Sequence, residues 1–211
     1  RWCRSRRQFV IADGGDPLQL TYGEFDLVNA RWSPDGRRVA AVSNESGNTS
    51  LVIITVPGGA RTTVVIRKRI YRAPMGRLTI RVVDAATGKP IPARISVTLA
   101  DERTAAPDDV WLHADDGFDR TDRRYEVGYF HTTGTSTLTV PAGVAHIDVT
   151  HGIEYKVERA NVTVRERSTT TETIRLSRMM SLADSGWTSG DLHVHMNYGG
   201  HYRATPASLA F

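Results

Sequence analysis

The sequence predicts a mainly β protein, and three observations predict it. Short segments alternate apolar and polar side chains with the two-residue period of a half-buried strand. Glycine- and proline-bearing turn signals separate them: Pro34-Asp35-Gly36, Pro57-Gly58-Gly59, Thr87-Gly88-Lys89-Pro90 and Pro141-Ala142-Gly143. A sustained 3.6-residue period is almost nowhere to be found, so helices are expected to be nearly absent. The strands group into three stretches, residues 1–70, 71–178 and 179–211, each expected to be a separate part of the architecture.

In the first stretch, Gln8-Phe9-Val10-Ile11-Ala12 reads as a strand and Asp13-Gly14-Gly15-Asp16-Pro17 as its turn. Two strands then flank Pro34-Asp35-Gly36, where proline presets φ and glycine accepts a positive value. Leu51-Val52-Ile53-Ile54-Thr55-Val56 is a further strand, closed by Pro57-Gly58-Gly59. Three or four strands in this length match one propeller blade. Trp32-Ser33-Pro34-Asp35-Gly36 resembles the repeat of TolB-type β-propellers, which implies a partial propeller of about one and a half blades. Arg67-Lys68-Arg69 to Arg72 reads as an exposed linker.

In the second stretch, Gly76–Asp84 alternates, 86–92 turns, and Ala93–Leu99 alternates again. Further strands are expected at Tyr125–His131, Ser136–Val140, Ala145–His151, Val157–Val164 and Thr171–Leu176. Seven or so short strands in such a span predict a β-sandwich. Val83-Asp84, Thr87-Gly88-Lys89-Pro90-Ile91-Pro92-Ala93 and Val140-Pro141-Ala142-Gly143 resemble the carboxypeptidase regulatory-like, transthyretin-like sandwiches. Such modules pack beside enzymes without contributing catalysis.

The third stretch carries Gly190-Asp191-Leu192-His193-Val194-His195-Met196-Asn197-Tyr198-Gly199-Gly200. Side chains at i and i+2 of a strand share a face, so two imidazoles here can reach one ion, with Val194 facing the other way. A catalytic zinc needs three protein ligands and an open position, more than this pair supplies. Together with Tyr202-Arg203-Ala204-Thr205-Pro206, the segment resembles the opening motif of the PHP metallohydrolases, in the branch related to carbaryl hydrolase. The resemblance implies the first strand of a (β/α) barrel, truncated here. It implies His193 and His195 as ligands of a divalent metal (zinc, manganese or iron), and Asp191 as a catalytic-site residue that buttresses them. His201 and Tyr202 are candidates, by position, for contact with metal or substrate. The implied activity is hydrolysis of a small-molecule ester, amide or phosphoester by metal-activated water, in a periplasmic or secreted protein.

Composition narrows the alternatives. Over 211 residues, 40% hydrophobic and 24% charged content fits a globular protein of one or two domains. No apolar run reaches about 18 residues, so no membrane span is expected. The lone Cys3 excludes an internal disulfide framework. Absence of an initiator methionine or signal peptide, with ligands at the far end, suggests a piece of a longer polypeptide, inactive by itself. The net charge of +4 comes with basic clusters at Arg1–Arg7 and Arg67–Arg72 that lack interleaved aromatics, so no nucleic acid is expected. Asn44, Asn48 and Asn161 sit in glycosylation sequons, which matter only in a eukaryotic secretory pathway. Asp108-Asp109 and 115–122 read as a solvated acidic loop, with a calcium site the lesser alternative. His113, His131, His146 and His151 read as surface or hydrogen-bonded residues. Trp111, Tyr129 and Phe130 could line a sugar-binding face, though sandwich core is the preferred reading. The rival to the hydrolase is a non-catalytic sandwich or propeller module that binds or scaffolds a polysaccharide or protein. Oligomeric state is left open.

Overall fold

The first strands of the chain are short and edge to edge: β1 (Phe9–Val10) pairs antiparallel with β2 (Leu18–Gln19). A computed structural model of the chain describes residues 9–10, 16, 18–23, 25–114, 121, 124–188, 190, 197–198 and 202–203. The chain divides into two compact units, with a boundary between Arg69 and Ile70.

In the first unit, β3 (Leu27–Trp32), β4 (Arg38–Ser43), β5 (Ser50–Thr55) and β6 (Arg61–Thr63) form an antiparallel four-stranded meander. That is the strand count of one propeller blade. Alternation decides its buried face: Leu27, Val39, Ala41, Val52 and Ile54 pack with Phe25. The β3–β4 turn forms as its residues dictate. Gly36 takes φ +66°, and Asp35 accepts hydrogen bonds from the Ser33 hydroxyl and the Arg37 amide. Asn29, at φ +56°, sits in a bulge that shifts the β3–β4 register. Beyond β6, residues 64–72 are exposed and outside any strand.

The second unit is a β-sandwich. Its strands are β7 (Met75–Asp84), β8 (Ala93–Leu99), β9 (Thr104–Ala105), β10 (His113–Ala114), β11 (Gly128–Thr132), β12 (Thr135–Pro141), β13 (Gly143–Thr150), β14 (Glu158–Val164) and β15 (Thr169–Leu176). One sheet runs β10-β11-β8-β13-β14, with β9 also on β8; the other runs β12-β7-β15, in which β15 is parallel to β7. Between them lie Leu78, Ile80 and Val82 of β7, Ile95, Val97 and Leu99 of β8, Phe130, Leu138, Ile147, Val164 and Leu176. Both inner faces are apolar at alternate positions, so removing this surface from water drives the two sheets together. Gly76 is required where it stands: a Cβ there would lie 2.2 Å from the Arg165 carbonyl oxygen.

The strands expected at Gly76–Asp84, Ala93–Leu99, Ser136–Val140, Ala145–His151, Val157–Val164 and Thr171–Leu176 form within a residue or two of those bounds. Tyr125–His131 is corrected: Arg124–Val127 closes one helical turn, α1, and only then does β11 begin. The Arg94–Glu126 ion pair holds that turn against β8, which local alternation could not signal. Two short strands near the end, β16 (Asn197–Tyr198) and β17 (Tyr202–Arg203), pair antiparallel. The strand expected from Leu192 to Met196 lies outside the described residues. Among the described residues no helix is long and apolar enough to cross a membrane.

Candidate functional site

Where β8 begins, the sheet register lines up three residues on one face: His131 on β11, Arg94 on β8 and Thr150 on β13. They form part of a cleft of about 560 Å³, completed by Tyr125 and Glu126 of α1 and by His151, Ile153, Tyr155 and Val157 of the following turn. Arg94 organises one wall. Its guanidinium pairs with Glu126 and lies 4.1 Å from the centroid of the Tyr129 ring, so charge and π face are both engaged.

Behind that wall the rings continue. His113 on β10 stands opposite Tyr129 in the ladder, and Tyr129 and His131 share a face at i and i+2. His113 stacks on Tyr129 at 4.8 Å, while His131 meets His113 edge-on at 5.3 Å and Tyr129 at 5.7 Å. Trp111 adds an edge contact to His113 at 6.1 Å. Burial pulls the His113 pKa down to about 4, with the His131 and Arg94 charges adding to the effect. The pKa of His131 is lowered too, first by burial and then by Arg94. Neutral imidazoles at neutral pH are therefore part of the packing.

The opposite wall is pinned from below. Tyr155 donates to Asp84 at 3.2 Å and meets His151 at 4.8 Å. Asp84 also accepts from the amides of Ala86 and Thr87 and from the Thr87 hydroxyl, bonds that hold its carboxyl below its usual pKa. Glu154 accepts from the Leu182 amide and from Arg178, so the segment after β15 is tied to this turn. The rim is apolar: Ile153 is 75% exposed and Val157 38%.

Asp191, His193 and His195, and with them the divalent metal they would hold, lie outside the described residues, as does His201. Tyr202 is described only as part of β17. Among the described residues no three histidine, cysteine, aspartate or glutamate side chains gather as a metal site would require. Most of the acidic loop, 115–120 and 122, is also outside them. Phe130 is fully buried core, as the preferred reading has it. Trp111 and Tyr129 belong instead to the half-buried ring cluster. His113 is half-buried and ring-packed, its strand β10 pairing with β11, whereas His131 is exposed, as the surface reading has it, and meets the same rings edge-on. His146 is hydrogen-bonded, to Asn161. Sequence reasoning passed over Arg94 and Glu126; the one charged residue of β8 was the available signal.

Comparison with known proteins gives partial similarity only. No family model matches the chain. Over 53 residues it is 38% identical to the Tol-Pal system protein TolB of Xanthomonas campestris pv. campestris and to that of Xanthomonas oryzae pv. oryzae. Those matches take in 25% of this chain, and the chain spans 12% of the length of these relatives. Among solved structures, the minor pilin GBS52 of Streptococcus agalactiae aligns with a TM-score of 0.36 at 16% identity, covering 68% of each chain. Phospholipase PlaB of Legionella pneumophila aligns with a TM-score of 0.33 at 10% identity, covering 72% of this chain and 33% of that one.

Proposed function

We propose that the sandwich is a non-catalytic binding module that takes a protein partner in the cleft between α1 and the Thr150–Val157 turn. One observation carries the reading: a preformed cleft of about 560 Å³ whose rim exposes Ile153 and Val157 while Arg94 and Glu126 lie inside. Apolar rim residues supply burial on docking, and the fixed ion pair supplies orientation. Panning the full chain against a random peptide library tests it. Peptides with aliphatic or aromatic anchors are expected to be enriched, and Ile153→Asp is expected to weaken them about tenfold or more. Absence of enrichment, or enrichment that Ile153→Asp leaves untouched, refutes the reading.

A second reading rests on the segment from Gly190 to Gly200. In it, residues 1–70 are part of a TolB-type propeller, 71–178 a carboxypeptidase regulatory-like sandwich and 179–211 the start of a PHP-type metallohydrolase. The TolB similarity over 53 residues supports the first of these. His193 and His195 would hold zinc, manganese or iron beside Asp191, and such a metal supplies an acidified water for ester, amide or phosphoester hydrolysis. The same similarity supports a periplasmic or secreted location. Elemental analysis of the full chain purified without chelators is the check. Metal retained by the parent and lost in His193→Ala and His195→Ala supports the site, and equal content in all three excludes it.

A further inference from the structure

The outer face of the six-stranded sheet is unusually polar. On it, β8, β13 and β14 set two rows in register: Thr98, His146 and Asn161 in one, Ser96, Asp148 and Arg159 in the other. Strand spacing of about 4.8 Å and a two-residue rise of about 7 Å make this a grid roughly 10 Å by 7 Å. Beside it is a cavity of about 570 Å³ lined by Tyr125, His146, Asp148, Arg159 and Asn161, among others. That volume falls within the roughly 300–1,000 Å³ of small-molecule sites.

Two features separate this grid from an ordinary solvated sheet face. Asp148, which lines the cavity, is a charged side chain only 5% exposed. The charges also cancel: Asp148 accepts from Arg159 at 2.9 Å. A cation arriving here meets Arg159, and an anion meets Asp148. A neutral ligand whose groups both donate and accept is complementary to the four polar side chains His146, Asp148, Arg159 and Asn161 that line the cavity.

We propose that this face binds a neutral saccharide of one or two rings. Its hydroxyls pair with Asp148, Arg159, Asn161 and His146, and Tyr125 offers a half-buried ring at the wall. The site shares Tyr125 with the cleft of the protein-binding proposal, but neither reading depends on the other.

Titrating maltose, cellobiose and N,N′-diacetylchitobiose into the isotope-labelled full chain, each to about 20 mM, tests it by amide chemical shift. At least one sugar is expected to shift the Ser96, Asp148 and Asn161 amides with a Kd of about 0.1–5 mM. Asn161→Ala and Asp148→Asn are expected to weaken that binding about tenfold. Ile153→Asp leaves it unchanged, so failure of the protein-binding reading is read separately. Asn161 is exposed, and its variant keeps the test usable if Asp148→Asn does not fold. Silence at these amides with all three sugars overturns the proposal. So does affinity equal in the parent and in Asn161→Ala.

Discussion

His113 lies flat on Tyr129, with ring centroids 4.8 Å apart and planes 9° from parallel. Such a stack holds the imidazole where water is scarce, and its neighbours Arg94 and His131 are cationic or able to become so. Trp111 covers a further edge, and Glu126 is already engaged by Arg94. Burial first, then the His131 and Arg94 charges, oppose a proton on His113.

Stability should therefore fall on mild acidification. The ordinary histidine value is 6.5, and the folded value of His113 is about 4. The unfolded chain takes up the proton first. The histidine contribution is whole above pH 6.5 and is lost as pH falls from 6.5 towards 4. His131, shifted in the same direction, adds to the loss. Because the ring is only half-buried, the full shift is discounted to about 1–2 kcal/mol. Urea unfolding between pH 7.5 and 4.5 measures it. His113→Phe, which keeps a stacked ring, should flatten the slope; an unchanged slope would mean that the histidine does not carry it.

The core makes a steeper demand. Phe130 is fully buried between the sheets, and Phe130→Ala should cost about 3–5 kcal/mol, whereas Phe130→Leu should cost far less. Loss below about 1 kcal/mol for the alanine variant would place the ring outside the core.

Phe130 also shows what the sequence makes legible. Alternation in β7, β8, β12, β13, β14 and β15 was readable because one face of each strand is buried and the period is fixed by the pleat. The turns at Gly36 and Gly88 were readable because their geometry selects the residue. The helical turn α1 and the pairing of β10 with β11 were not, since both depend on partners distant in sequence: Arg94 for one, Tyr129 for the other. The ring cluster and the polar grid went unread for the same reason. One joins β10 and β11 with Trp111 and the other joins β8, β13 and β14, pairings that no local pattern encodes. The proposed metal-ligand pair is the reverse case: His193 and His195 stand close together in the sequence and lie outside the described residues.

In the first unit, Asn44 is almost fully buried, and its side-chain oxygen accepts the Asp26 amide at 2.7 Å. Its amide group reaches the Asp26 carboxylate at 3.4 Å. Asn44→Ala leaves a buried amide and carboxylate short of a partner, a loss of about 1–3 kcal/mol. Hydrogen exchange should quicken across β3, β4 and β5 while β7, β8 and β13 keep their protection. Uniform quickening of all six would show that the two units unfold together. The same burial predicts that the Asn44 sequon stays unmodified in a folded chain passed through a glycosylating pathway.

The last prediction concerns the stretch that leaves the sandwich. Glu154 accepts the Leu182 amide at 2.8 Å on one oxygen and Arg178 on the other. The Leu182 bond, then the Arg178 bond, lowers its pKa against the opposing effect of burial. A depressed carboxylate contributes above its unfolded pKa and loses that contribution as pH falls through the folded value, so this tie begins to release only below the ordinary glutamate value of 4.5, at the acid end of the window in which His113 acts. Glu154→Gln keeps the size but removes the charge that holds Arg178. The Leu182 and Met179 amides should then exchange severalfold faster, Met179 because its own bond is to the Glu154 carbonyl. The β13 and β14 amides should not change. Equal exchange at Leu182 in both proteins would show that the segment is held by its neighbours rather than by this carboxylate.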